Sequence, residues 1–231
     1  MTWQLAIETS TLTSSAAVLE GARLVVEKSA AASQTSEALL PLVDQVLRAA
    51  GKTPADLDYL SCGAGPGSFT GLRIGLATAK GLCFALGKPL VAVSSLAALA
   101  LEADGAPGSL VTTLVDARRG EVYGGLFRLR GDDAPESLVE EAVFTPDAIV
   151  ALVRQHAAGA KVALVGDGVA VAPEVFAALG AVPAGAGMLP RAASVGRIAA
   201  ARWAAGPVDE LGTATPAYIR LAEAEAKLGS R

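Results

Sequence analysis

The sequence predicts an α/β fold of two related lobes, each a mixed sheet flanked by helices. Three observations carry that reading. From Trp3 to Glu102, short segments of strand character alternate with longer segments of helical period. The stretch Asp104 to Ser109, with Gly105, Pro107 and Gly108, then interrupts the pattern and is the best linker. From Leu110 the succession of strands followed by helices begins again. The lobes are therefore expected at 1–104, with residues 215–231 returning to it, and at 109–214.

The first lobe opens with a strand at Trp3–Glu8, followed by the hydroxyl-rich Thr9-Ser10-Thr11-Leu12-Thr13-Ser14-Ser15. Ala16–Leu19 and Leu24–Glu27 read as two strands about a Glu20-Gly21 turn. Ser33–Ala50 is helical, with Leu39, Val43, Val46, Leu47 and Ala50 on one face, Pro41 early in it and Gly51 closing it. Ala38, Leu42 and Ala49 widen its apolar arc beyond a single stripe. A strand at Leu57–Ala64, a strand at Leu90–Val93 and a helix at Ser95–Glu102 complete the lobe around a central helix.

That central helix follows a loop in which Gly63, Gly65, Gly67 and Gly71 accompany Pro66. Ser68 or Thr70 caps its start, and Gly87 with Pro89 ends it. At about 100° per residue, Leu72, Leu76, Ala79, Leu82, Cys83 and Leu86 form a stripe able to dock on a sheet. The opposite side carries Ile74, Ala77, Thr78, Gly81, Phe84 and Ala85, with only Arg73 and Lys80 charged. A helix without a polar face is buried on both sides. Either it lies wholly inside this domain, or another polypeptide covers it.

In the second lobe Leu110–Val115 runs through Asp116-Ala117-Arg118-Arg119-Gly120-Glu121 into Val122–Leu129 as a hairpin, with a third strand at Ser137–Phe144. Thr145-Pro146-Asp147 starts a helix, Thr as cap and Pro in the first position. A strand at Lys161–Val165 ends at Gly166-Asp167-Gly168, and short helices follow at Pro173–Leu179 and Ser194–Ala205. The segment Thr215–Arg220 can return to the first lobe.

Composition narrows the function. With 52% hydrophobic and 4% aromatic residues the core is aliphatic, and a formal charge of −4 argues against a free-standing nucleic-acid binder. Mean hydropathy is positive, yet no uncharged apolar run reaches the ~18 residues of a membrane span without a break. Val175–Pro190 is interrupted by Pro183 and glycines. The N-terminus starts on a strand, so no signal peptide is expected. Cys62 and Cys83 make neither a disulfide scaffold nor a metal site, so a reducing, cytoplasmic setting is the default.

Candidate chemistry is sparse. His156 is the single histidine, which excludes a histidine-based metal triad or H-E-x-x-H on inventory; no G-x-S-x-G accompanies it for Ser-His-Asp catalysis. A glycine loop entering a helix can cradle phosphate on free N–H groups, and Gly65, Gly67 and Ser68 are the candidates. Neither G-x-x-x-x-G-K-[ST] nor G-x-G-x-x-G is present, and a tight structural turn explains the same glycines. Glu8 and Asp116, each ending the opening strand of a lobe, are a candidate carboxylate pair or else plain strand-end carboxylates. Arg118 and Arg119 suit a phosphate, a partner's carboxylate or water equally well.

Gly65-Pro66-Gly67-Ser68-Phe69-Thr70-Gly71-Leu72-Arg73-Ile74-Gly75 resembles the signature of the TsaB (YeaZ) family. Ile7–Ser10, Ser36–Pro41, Asp116–Tyr123 and Pro216–Arg220 agree with it too, so the likeness spans essentially the whole chain. The resemblance implies a two-lobed actin-like (ASKHA, ribonuclease H-like) fold and a role in threonylcarbamoyladenosine modification at adenosine 37 of tRNA. It implies a non-catalytic subunit that binds and activates a TsaD-type transferase as a heterodimer, joined by a TsaE-type ATPase. The implied contact surface is the helix pair at Ser36–Ala50 and Leu72–Leu86, through Ala38, Leu42, Ala49, Arg73, Ile74, Ala77, Thr78, Gly81, Phe84 and Ala85. A homodimer is expected without the partner, tRNA contact only through the complex, no cofactor on the chain itself, and ATP or ADP only in the complex.

Departures from the family pattern matter. Glu8 stands where Asp is common, and Thr35 where His is common; the paralogue's metal-binding histidine pair is missing. Glu8-Thr9-Ser10-Thr11 lacks the glycine of D-x-G-T, and Asp116-Ala117-Arg118 lacks D-x-G. Two rivals stand beside this reading. One is an actin-fold ATPase or kinase using Glu8 and Asp116 on Mg-nucleotide, with Thr9 and Ser10 as further candidate phosphate contacts. The other is a peptidase, for which no catalytic residues are found.

Overall fold

The computed structural model describes residues 2–31, 35–103, 105–131, 133–179, 182–186 and 188–219. Its first sheet contains β1 (Trp3–Glu8), β2 (Thr13–Glu20), β3 (Arg23–Ala31), β4 (Tyr59–Gly63) and β5 (Leu90–Val93), in the order β3-β2-β1-β4-β5. The antiparallel pairs β1–β2 and β2–β3 form a meander, and β4 and β5 add in parallel. The second sheet contains β6 (Leu110–Arg118), β7 (Glu121–Arg130), β8 (Asp133–Phe144), β9 (Val162–Gly166) and β10 (Val182–Ala186), in the order β10-β9-β6-β7-β8. Its meander β6–β7–β8 is again antiparallel, with β9 and β10 parallel to it. The two sheets thus repeat one topology.

Although Trp3–Glu8 alternates in sequence, from Gln4 onward β1 is buried on both sides. Leu5 and Ile7 point into one core and Ala6 into another, so both faces of the strand are covered. The helices α1 (Thr35–Ala49) and α2 (Phe69–Leu86) cover the first face. The second face receives α6 (Ala192–Ala205), which packs on β1, β2 and β4. Gly196 permits that seat, because a Cβ there would come within 2.4 Å of Leu19 Cδ1. Tyr59 stacks on Trp203 at 4.3 Å, and Gln4 Nε2 donates to Gly196 O at 2.8 Å, tying helix to sheet.

Between the sheets α3 (Ser95–Ala100) packs on β6 and β7 through Leu96, Leu99 and Ala100, which meet Val111, Val115 and Phe127. The far face of the second sheet is covered by α4 (Pro146–Ala157) and α5 (Pro173–Ala177). Helix α6 lies inside the 109–214 span, yet its contacts run mainly to the first sheet.

Several segments differ from the sequence reading. β10 was not expected, since Pro183 and the nearby glycines break its apolar run; at the edge of a sheet both residue types are tolerated. β3 reaches Ala31 rather than Glu27, and α3 stops at Ala100. The expected start of the first helix at Ser33 and the tail beyond Ile219, including Arg220, lie outside the described residues. The outer edge of β5 is covered by side chains and loop: Glu210 N donates to Leu90 O at 2.8 Å, and Ala92 N to Glu210 Oε2 at 2.8 Å.

Candidate functional site

The start of α2 is built by a close approach of backbone to backbone. Ser68 is its cap, with Oγ accepting from Gly71 N at 3.3 Å, and Gly87 closes the helix at φ 63°. The turn after β1 lies directly on this first stretch: Ser68 N donates to Ser10 O at 2.6 Å, and Thr9 Oγ1 to Gly71 O at 2.8 Å. A Cβ on Gly67 would come within 2.3 Å of Ser10 O, and one on Gly71 within 2.0 Å of Thr9 O. These glycines are required by the close approach of the Thr9 and Ser10 carbonyls, and the Ser68 and Gly71 N–H groups that could cradle a phosphate already have acceptors in Ser10 O and Ser68 Oγ. Gly65, at φ 99°, sits under Leu72, and its N–H donates to Ser95 Oγ at 3.2 Å.

Glu8 is wholly buried. Its Oε1 accepts from Ser10 N at 2.6 Å and its Oε2 from Ser95 Oγ at 2.8 Å. Burial pushes the carboxyl above its ordinary range, against the lowering effect of those hydrogen bonds. The same burial pushes the neighbouring Cys62 thiol well up. Asp116 is held elsewhere: it accepts from Arg118 N at 2.7 Å and Arg118 Nη1 at 3.2 Å, and its own N–H donates to Asp167 Oδ1 at 3.1 Å. Among the described residues no hydrogen bond joins Glu8 to Asp116, and they share no partner. Arg118 and Arg119 form the hairpin tip in left-handed conformation, at φ 66° and 59°. His156 is exposed at the end of α4, its Nδ1 2.9 Å from Leu152 O. An actin-like fold suggests Mg-nucleotide between such strand ends. The residues present do not fit it, because both Glu8 oxygens are engaged inside the core and the glycine loop is filled by Thr9 and Ser10.

The outer side of α2 presents a different picture. Gly71, Leu72, Gly75, Leu76, Ala79 and Cys83 are buried against the first sheet. Opposite them Ala77, Gly81 and Ala85 are exposed, Ile74 and Thr78 are half-buried, and Phe84 is 85% exposed. A Cβ on Gly81 would meet nothing within 4 Å, so this fold does not itself require glycine there. By length and composition α2 could cross a membrane, although a third of it is buried in the chain.

Beside it on α1, Ala49 is exposed, Ala38 half-buried and Leu40 55% exposed. Leu42 corrects the sequence reading: it is 5% exposed and belongs to the core with Leu39 and Val46. The arc on α1 was too wide for periodicity to tell Leu40 from Leu42. Sequence reasoning also missed the neighbours of Arg73. Its Nε donates to the Tyr218 hydroxyl at 2.8 Å, and its Cζ lies 3.6 Å from the Phe69 ring centre. Ala217 N donates to Ala64 O at 2.7 Å, bringing the tail to this point.

Two sheets of one repeated topology with helices between and outside them define a protein of the actin-like (ASKHA) class. Component A of (R)-2-hydroxyglutaryl-CoA dehydratase from Acidaminococcus fermentans shows the same fold at a TM-score of 0.50 and 13% identity, covering 88% of this chain and 97% of that one. The sequence profile described as TsaD, tRNA N6-adenosine threonylcarbamoyltransferase, matches residues 26–226. The tRNA threonylcarbamoyladenosine biosynthesis protein TsaB of Escherichia coli strain K12 is 32% identical over 218 residues, 94% of each chain. A Pseudomonas aeruginosa crystal structure, described as similar to peptidase YeaZ, superposes at a TM-score of 0.83 with 33% identity, over 95% of this chain and all of that one. The chain belongs to the TsaB (YeaZ) family of tRNA threonylcarbamoyladenosine biosynthesis proteins.

Proposed function

We propose that this protein is the non-catalytic subunit that docks a TsaD-type threonylcarbamoyl transferase on the outer faces of α1 and α2 and supports its action on adenosine 37 of tRNA. The observation that carries this is Phe84, 85% exposed on a helix side that otherwise offers Ile74, Ala77, Gly81 and Ala85. An apolar face of this kind marks an interaction site. Its occupant is a protein rather than a bilayer, because α2 is fixed along its other side to the sheet through six buried residues. The transferase is the natural partner, since its own family profile runs through 26–226 of this chain and two related folds can pair through equivalent helices.

The engaged carboxylate of Glu8 and the filled glycine loop favour a subunit without its own catalysis over an ATPase or kinase. In this reading the chain works in the cytoplasm, alone forms a homodimer through the same face, meets a TsaE-type ATPase only in the assembly, and reaches tRNA only there. The net charge of −4 supports the last point. Ala77→Arg is the test. An arginine on the exposed Ala77 leaves the isolated chain folded by circular dichroism, yet abolishes sedimentation with the transferase. Undiminished co-sedimentation of the variant would overturn the docking face.

A further inference from the structure

Arg73 stands at the beginning of the exposed α2 face, beside Ile74 and one helical turn from Ala77. It is held with unusual definition for a surface arginine. Its Cζ lies 3.6 Å from the centre of the Phe69 ring and 5.5 Å from that of Tyr218, and the two rings are 5.3 Å apart. Its Nε donates to the Tyr218 hydroxyl, which the backbone bond from Ala217 N to Ala64 O keeps in place. The acceptor is a hydroxyl, not a carboxylate. Among the described residues no carboxylate pairs with Arg73, whereas Arg48, Arg128 and Arg202 pair with Asp44, Glu136 and Glu210. Among the described residues, neither terminal nitrogen of this guanidinium has a hydrogen-bond partner, while its stem is already ordered.

We infer that Arg73 is the charged anchor of the docking face, pairing through its terminal nitrogens with a carboxylate of the bound transferase while Phe69 and Tyr218 hold it in position. This rests on the reading of α1 and α2 as the transferase surface. A planar guanidinium matches a carboxylate with two parallel hydrogen bonds and stacks on aromatic faces, which an ammonium does not do. Ordering it before binding removes part of the rotamer entropy that association otherwise costs. Two observations favour a carboxylate over a phosphate. The adjoining glycine loop is filled by Thr9 and Ser10, so no phosphate cradle lies beside Arg73. The surface continuous with Arg73 is mainly apolar, with Lys80 the one other charged residue of α2, which suits a folded protein rather than a nucleic-acid backbone.

The experiment is a dissociation constant for the full chain with the transferase at low and high salt, beside circular dichroism of each variant. Arg73→Ala is expected to weaken binding about tenfold or more and to flatten its salt dependence. Arg73→Lys recovers only part of the affinity, because the charge returns without the fork. Tyr218→Phe keeps the ring and removes the hydroxyl, with an expected loss of about threefold and an unchanged dichroism spectrum. Wild-type affinity and salt dependence in Arg73→Ala, with Ala77→Arg still unable to bind, would overturn the anchor and leave the docking face standing. Normal binding by both variants would remove the two together. An Arg73→Ala heterodimer of full affinity that binds tRNA more weakly would assign the residue to phosphate and overturn the carboxylate.

Discussion

Helices α2 and α4 do the same work in the two lobes, each covering one face of a five-stranded sheet of the same topology. They start alike. Thr145 Oγ1 accepts from Ala148 N at the head of α4, as Ser68 Oγ does from Gly71 N at the head of α2. Their inner faces are alike too, with Ile149, Val150, Val153 and Ala157 buried in one and Leu72, Leu76, Ala79 and Cys83 in the other. The outer faces part company. Outside α4 lie Asp147, Arg154, Gln155 and His156, and outside α2 lie Ala77, Gly81, Phe84 and Ala85. One helix is finished by water. The other has a second apolar side that none of the described residues covers, and that difference is why we place the proposed docking face on the first lobe.

The largest effects are expected where the helices agree. Leu76→Arg and Val153→Arg each bury an unpaired charge, at a cost on the order of 3–5 kcal/mol, and both should unfold their lobe in a thermal melt followed by circular dichroism. A soluble, native-like Leu76→Arg would mean that the inner face of α2 is not the core side. Next come the outer faces. Gly81→Leu has open space around it and gains helix propensity, so the monomer should melt at the same temperature or higher. Association with the transferase should nonetheless fall by roughly 1–3 kcal/mol, about five- to 150-fold. Ala151→Leu, exposed on α4, should leave that affinity unchanged; equal losses from both would erase the distinction between the helices.

The opening strands offer a comparison through Glu8. Burial raises its folded pKa above the ordinary 4.5, so its contribution to stability is complete below the unfolded value and is lost as pH rises through the folded one. Glu8→Gln does not titrate, and its melting temperature should therefore decline less than that of the wild type as pH rises above about 4.5. Parallel melting curves for the two proteins across that range would show that the carboxyl is not buried as described. The smallest changes are expected at the caps. Ser68→Ala and Thr145→Ala should each destabilise by about 1 kcal/mol, and a clearly larger loss at Ser68 would reveal a further role for its hydroxyl.

Much of this was legible in the chain. Helical period alone marked the two apolar sides of Leu72–Leu86, and Gly87 with a start at Ser68 or Thr70 marked its ends, because both signals are local; the structure chose Ser68 as the cap. The repeated order of strands and helices announced two related lobes. The glycines were ambiguous by sequence, since a phosphate cradle and a close backbone approach demand the same residue. Only the position of Thr9 and Ser10 against Gly67 and Gly71 decided between them.

What the sequence determined by itself is therefore most of the elements, β10 excepted, and the existence of a helix with one apolar face too many. The tertiary structure decided which residues that face contains: Leu40 rather than Leu42 on α1, and Arg73 clamped by Phe69 and Tyr218. The reason is reach. Periodicity reports neighbours three or four residues apart along one helix, whereas Arg73 and Tyr218 are 145 residues apart, and their meeting depends on how the tail runs past β5 to Ala64.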